Sequence, residues 1–249
     1  KATAGSAANL RLLTGEYLQL AIAQADLVQD AYDQTGIFAD EEEDRGFGAV
    51  AALYTETCQV VVRADSDIRS IEDLHGRTVS IGAEESGSEQ NALQILSAYG
   101  LNDKMVSMVN LNYEDAAAQL KAGRVDAIFM TVGAPSPVLT ALAGECGIRL
   151  LNVDGTAAQR LMSAYNAYNT VTLPAGTYPG QTEEVQTVGV KAVLLASNAL
   201  PAKQVQQLTQ LLFSSREGLE EQLGILLDPE ENAVEGVGIP FHAGAAAYY

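Results

Sequence analysis

Cysteine is scarce: Cys58 and Cys146 are the only two in 249 residues. Two cysteines cannot build a disulfide scaffold, and without C-x-x-C spacing they do not frame a metal site. Both lie beside apolar runs, which suits small buried core residues, with a single bridge between them as the alternative. Histidine is equally rare. His75 in DLHGRT and His242 in PFHAGA stand near no candidate nucleophile, and His242 reads as structural. The H-E-x-x-H, Walker and G-x-G-x-x-G patterns are absent, and the serines of ESGSE fail the G-x-S-x-G elbow because Glu85 and Glu89 flank them. These absences argue against a hydrolytic or nucleotide-dependent enzyme, and no catalytic residue, metal or cofactor is expected.

Long apolar runs are missing too. Nothing approaches the roughly 18 consecutive apolar residues of a spanning helix, and strings such as AVLLA (192–196) suit buried strands. Basic residues are few: 14 against 32 acids give a net charge of -18, which repels nucleic acid and anionic lipid headgroups alike. No nucleic-acid partner is expected. Part of the acid load is local, in DEEED (40–44) and DPEEN (228–232), read as solvated loops. A cation site at 40–44 is the lesser alternative, because the D-x-D-x-D-G rhythm and the distal Glu of a calcium loop are lacking.

What is present is an alternation. With 47% hydrophobic residues, the chain can bury one large core or two modest ones. Strands are expected at 58–63, 77–82, 107–111, 126–130, 148–153 and 187–196. Helices are expected at 6–14, 88–99, 114–122, 136–144, 156–165 and 202–214. That order predicts α/β layering with parallel strands. Gly15, Gly100 and Gly123 follow helical stretches, where a left-handed cap favours glycine. No repeat or flexible linker divides the chain. The opening KATAGSAANL reads as the middle of an element, so a removed leader or a missing N-terminal segment is expected.

The stretch GAEESGSEQNALQILSAYG (82–100) raises a question of charge. Ser86 and Glu89 fit the S-x-x-E capping box, and Ala92, Ile95, Leu96 and Tyr99 share one helical face. Glu84 and Glu85 read as solvated, or as partners for an ammonium group. A helix start of this kind offers backbone N–H donors to an anion even on an acidic surface. Three other turns share its composition of small polar residues: AGSAAN (4–9), AQAD (23–26) and TVGAP (131–135). In open α/β sheets, strand-to-helix turns are where ligands bind.

In order along the chain, GSAANLRLL, QADLVQDAY, VVVRADSDIRSIEDLHGRTVSIGAEESGSEQNA, AAAQLKAGRVDAIFMTVGAP, LPAGTYPGQ, VQTVGVKAVLLAS and IPFHAGAAAYY resemble the TAXI family of solute-binding proteins, extracytoplasmic receptors of TRAP transporters. The resemblance implies a type II periplasmic-binding-protein fold with two α/β lobes, a ligand cleft and a strand hinge. Residues 1–65 and 189–249 would form one lobe and 66–188 the other. It implies a small anionic or zwitterionic solute, an amino acid or organic acid resembling glutamate, glutamine or a dicarboxylate, delivered by a monomer to TRAP-type membrane subunits. Carried over by position, Ser6, Asn9 and Gln24 would face the ligand from the first lobe. From the second would come Ser86, Gly87, Ser88 and Asn91, then Thr131, Gly133 and Ala134, and finally Thr177 and Tyr178, the last as an aromatic wall. The hydroxyls of Ser88 and Thr131 are expected to serve affinity and not the unliganded fold. Two departures stand out. The family's initial strand and loop are missing, and Glu85 and Ser88 replace the glycine and threonine of the usual GSGTE. A sensory domain of the same fold, or an enzyme built on it, are the rival readings.

Overall fold

The computed structural model describes residues 3–41 and 45–249. The cation-site alternative at 40–44 therefore falls mostly outside the described residues. The chain divides into two compact units: residues up to Thr55 together with Val190–Tyr249, and Glu56–Gly189. Both boundaries fall inside long strands, β2 (Phe47–Arg63) and β8 (Val185–Ser197). β2 shows why in its sequence. Apolar runs at 47–53 and 60–62 flank a half-buried waist at Tyr54, Thr55 and Glu56.

In the unit that carries both termini, α1 (Ser6–Thr14) packs on β1 (Leu20–Gln24), which leads directly into α2 (Ala25–Asp33). β1 pairs antiparallel with β8, with Ile22 opposite Leu194. The Phe241 segment runs beside β2, where Ala49 N donates to Pro240 O and His242 N donates to Ala49 O. His242 is buried, and its Nδ1 accepts from Gly244 N at the start of α9 (Ala243–Tyr248), a structural role. α9 lies so close to α7 (Ala202–Ser214) that a Cβ on Gly244 would sit 2.1 Å from Ala202 O. Residues Arg216–Leu223 form the remaining helix, α8.

The second unit is built on β3 (Thr78–Ser80), which is parallel to both β4 (Ser107–Val109) and β5 (Ala127–Val132). β5 is antiparallel to β2, setting Cys58 opposite Thr131. β6 (Ile148–Leu151) pairs antiparallel with β2, and β7 (Asn169–Leu173) pairs antiparallel with β8. The sheet is therefore mixed, which corrects the expectation of parallel strands. The reason is topological. β5 and β6 are parallel to each other, joined by the helical crossover that parallel strands require, but β2 lies between them and runs the opposite way.

Around this sheet lie α3 (Gly87–Ala98), α4 (Tyr113–Lys121), α5 (Pro137–Cys146) and α6 (Gly155–Ala164). Leu120, Leu139 and Leu142 pack with Val61, Ile128 and Met130 in one buried cluster. On α3, Ala92, Ile95 and Leu96 are fully buried as their spacing predicts, each large side chain worth about 1.5–3 kcal/mol of transfer free energy. Tyr99 is only half-buried, and its hydroxyl bonds the backbone of Asp154. Gly100 and Gly123 take left-handed caps, but Gly15 does not: its φ is -73°, and Glu16 adopts +60° instead. No disulfide joins Cys58 and Cys146.

Candidate functional site

The entrance of α3 follows β3 through Gly82, whose φ of +101° brings the chain close to the helix. A Cβ there would lie 2.8 Å from Ser88 Cβ and 2.9 Å from Ser86 Oγ. Ser86 Oγ caps the helix by accepting from Glu89 N at 3.1 Å. The reciprocal half of the capping box is displaced by one residue. Glu89 Oε2 accepts from Glu85 N at 2.9 Å, while Ser86 N donates to Ala83 O. Glu89 Oε1 also accepts from Asn110 Nδ2 at 2.7 Å, which fixes the orientation of the carboxylate. Glu85 itself is exposed, with φ +61°. A glycine is the natural occupant of that conformation, which is the physical content of the departure at this position. Two donors remain. Among the described residues, no acceptor takes the backbone N–H of Gly87 or Ser88.

The side chain of Ser88, 2% exposed, is held in a ring. Thr131 N donates to Ser88 Oγ at 2.9 Å, and Tyr113 Oη donates to Thr131 O at 2.8 Å. A phenol has one proton. The 2.7 Å contact between Ser88 Oγ and Tyr113 Oη is therefore donated by the serine. Burial pushes the Tyr113 phenol up to about 12, against the counteracting hydrogen bond from Ser88. Thr131 Oγ1 in turn contacts Cys58 Sγ at 3.4 Å. Both hydroxyls thus have partners within the protein, Ser88 Oγ in the ring and Thr131 Oγ1 at Cys58 Sγ.

Other expected residues are placed as follows. Asn91, fully buried one turn into α3, donates from Nδ2 to Tyr168 Oη at 2.6 Å. Gly133 and Ala134 are half-buried in the loop after β5. The Tyr178 ring is 1% exposed within the apolar cluster, so it is core and not a presented wall. Its hydroxyl, raised in pKa by burial, accepts from Ser136 N at 2.9 Å and donates to Gln59 Oε1, anchoring the loop that carries Gly133 and Ala134. Thr177 closes its own turn by donating to Pro174 O. Sequence reading missed Tyr113, Tyr168 and Gln59. Gln59 had a signal, a polar side chain inside the apolar strand CQVVVR; the two tyrosines had none.

In the terminal unit, Ser6, Asn9 and Gln24 do come together. Ser6 Oγ accepts from Gln24 N at 3.1 Å, and Asn9 Nδ2 donates to Ile22 O at 2.8 Å. α1 has no side-chain cap. Among the described residues there is no cluster of three or more His, Cys, Asp or Glu suited to a metal, and no helix long and apolar enough to cross a membrane.

The model of the NMT1-like family matches residues 1–249. The chain belongs to the NMT1-like family. Its fold is shared with solved bacterial structures at low identity. The periplasmic aliphatic sulphonate binding protein SsuA from Escherichia coli is 20% identical, with 87% of this chain and 65% of that one covered at a TM-score of 0.50. The alkanesulfonate-binding protein SsuA from Xanthomonas axonopodis pv. citri, bound to MOPS, is 19% identical over 90% and 68% of the two chains, at 0.51. A Xanthomonas citri protein bound to a chloride ion is 11% identical over 96% and 81%, at 0.56. This NMT1-like chain thus spans about two thirds of the length of the SsuA proteins. It has the α/β fold of periplasmic binding proteins.

Proposed function

We propose that the protein is an extracytoplasmic receptor of the TAXI group, binding a small amino acid or organic acid and passing it unchanged to a TRAP-type transporter. Glutamate, glutamine and dicarboxylates are the favoured solutes. Family membership and fold support a binder, and two of the structural relatives are named for sulphonate binding, another class of small organic anion. One observation carries the reading to a site: Gly87 and Ser88 present N–H groups at the α3 start with no protein acceptor among the described residues. A helix N-terminus with open amides stabilises an anionic group through both its donors and its dipole. The nearby serine hydroxyls are already engaged, so the anion is held by backbone and not by Ser88 Oγ. The roles of Ser6, Asn9 and Gln24 as contacts from the terminal unit, and of residues 66–188 as a separate lobe, belong to the same proposal.

Native mass spectrometry of the purified protein, followed by calorimetry with glutamate, glutamine, succinate and an alkanesulfonate, tests it. The expected result is one solute bound per chain and recovered unchanged. Chemical turnover, or no binding by any of the four, would overturn it.

A further inference from the structure

On the second unit, the loop that follows β2 gathers unusual charge. Arg149, on β6, donates to Ser66 O and Ile68 O from Nη1 at 3.3 and 3.1 Å, and to Ala64 O from Nη2 at 2.6 Å. Arg69 Nη1 donates to the same two carbonyls, Ser66 O and Ile68 O. Two guanidinium groups therefore converge on shared neutral acceptors. The acids of this segment are committed elsewhere. Asp65 pairs with Arg63 at 2.8 Å, Asp67 pairs with Arg77 at 2.7 Å, and Asp73 accepts from the backbone N–H groups of Arg69 and Ser70. Neither Arg69 nor Arg149 has a carboxylate partner within ion-pair distance among the described residues.

This is unexpected in a chain with 32 acids and 14 bases. Both arginines line a cavity of about 470 Å³ bounded by β6 and the 180–185 segment, whose Glu183 and Glu184 form no ion pair with them. We propose that the Arg69–Arg149 pair is an oxyanion-binding site, taking a carboxylate, sulfate or phosphate group, distinct from the α3 entrance. Each guanidinium retains N–H donors after its carbonyl bonds, and a fork of such donors matches a bidentate oxyanion. Both forks are held in place by the backbone before any ligand arrives, which lowers the ordering cost of binding. An anion also neutralises the repulsion between the two cations. That repulsion, after burial, already draws the Arg149 guanidinium below its ordinary pKa. β2 runs about 20 Å from Cys58, beside Thr131, to Ala64 at this cavity, which separates the two sites.

Calorimetric titration of the full chain with sodium sulfate and, separately, sodium acetate, at ionic strength balanced with chloride, tests the site. Saturable binding of at least one is expected, with Kd raised about tenfold or more by Arg69→Gln. Sulfate alone binding identifies a tetrahedral site, and acetate binding a carboxylate site. Because Arg149 also ties down the loop, Arg149→Lys serves as the second variant, keeping charge but losing the fork, and should weaken binding similarly. Unchanged affinity in the folded Arg69→Gln protein, or no saturable binding by either anion, would overturn the proposal. Solute binding at α3 is unaffected by Arg69→Gln, so the two proposals fail separately.

Discussion

The starts of α1 and α3 solve the same problem to different depths. In each, a serine in the first turn accepts the backbone amide of a residue at the end of a neighbouring strand: Ser6 from Gln24 at the end of β1, Ser88 from Thr131 near the end of β5. Around α3 the serine is buried, Tyr113 closes the ring, and Ser86 caps the helix. Around α1 the serine is half-buried and no side chain caps. The lesson is that polarity at a helix entrance does not itself mark a ligand contact. At α3 the side chains build the entrance, and the backbone amides of Gly87 and Ser88 keep no acceptor among the described residues.

The comparison breaks most sharply at Gly82. Gly82→Ala places a methyl against Ser88, Ser86 and Glu89 N at a φ of +101°. Strain and crowding together cost about 3 kcal/mol or more, to be read as a lowered urea midpoint. Next, Ser88→Ala strands the buried Thr131 N–H and costs about 1–3 kcal/mol, while Ser6→Ala, at a half-buried side chain whose place water can take, costs under about 1 kcal/mol. Equal losses in the two units would erase the contrast.

Smaller effects follow from the phenol and the turn. The Tyr113 phenol is raised to about 12 by burial. The folded protein holds this proton after the unfolded chain has lost it, so the associated stability is intact below about pH 10 and fades as pH climbs toward 12. Tyr113→Phe removes that part of the alkaline decline, measured by denaturation at stepped pH. The part contributed by Tyr249 in the other unit, also raised to about 12, persists. Smallest of all, Glu85→Gly relieves a left-handed conformation and stabilises by up to about 1 kcal/mol, seen as a small rise in melting temperature.

The α/β alternation was legible because apolar periodicity reports burial, and the buried face of α3 follows directly from Ala92, Ile95 and Leu96. Strand direction was not legible. β2 reads as a strand at 58–63, but nothing in its residues says that it runs against β5 and β6. Its first half, 47–57, and β7 were missed: one is rich in alanine, and the other alternates threonines on a largely exposed face. At the site, sequence put Ser86, Gly87 and Ser88 at one strand-to-helix turn and Thr131 at another, and only the fold brings Thr131 N to Ser88 Oγ. The ring around the Ser88 hydroxyl was not legible, because Tyr113, 25 positions away, completes it only in three dimensions. Tyr178 is the same lesson reversed, an aromatic side chain that the resemblance offered as a ligand wall and whose ring is core.

The most direct measurement is an amide-resolved NMR titration with whichever solute the calorimetry identifies. The N–H signals of Gly87 and Ser88 should show the largest downfield shifts and saturate with the calorimetric Kd. Saturation of binding while those two amides stay unmoved would show that the α3 entrance does not hold the solute.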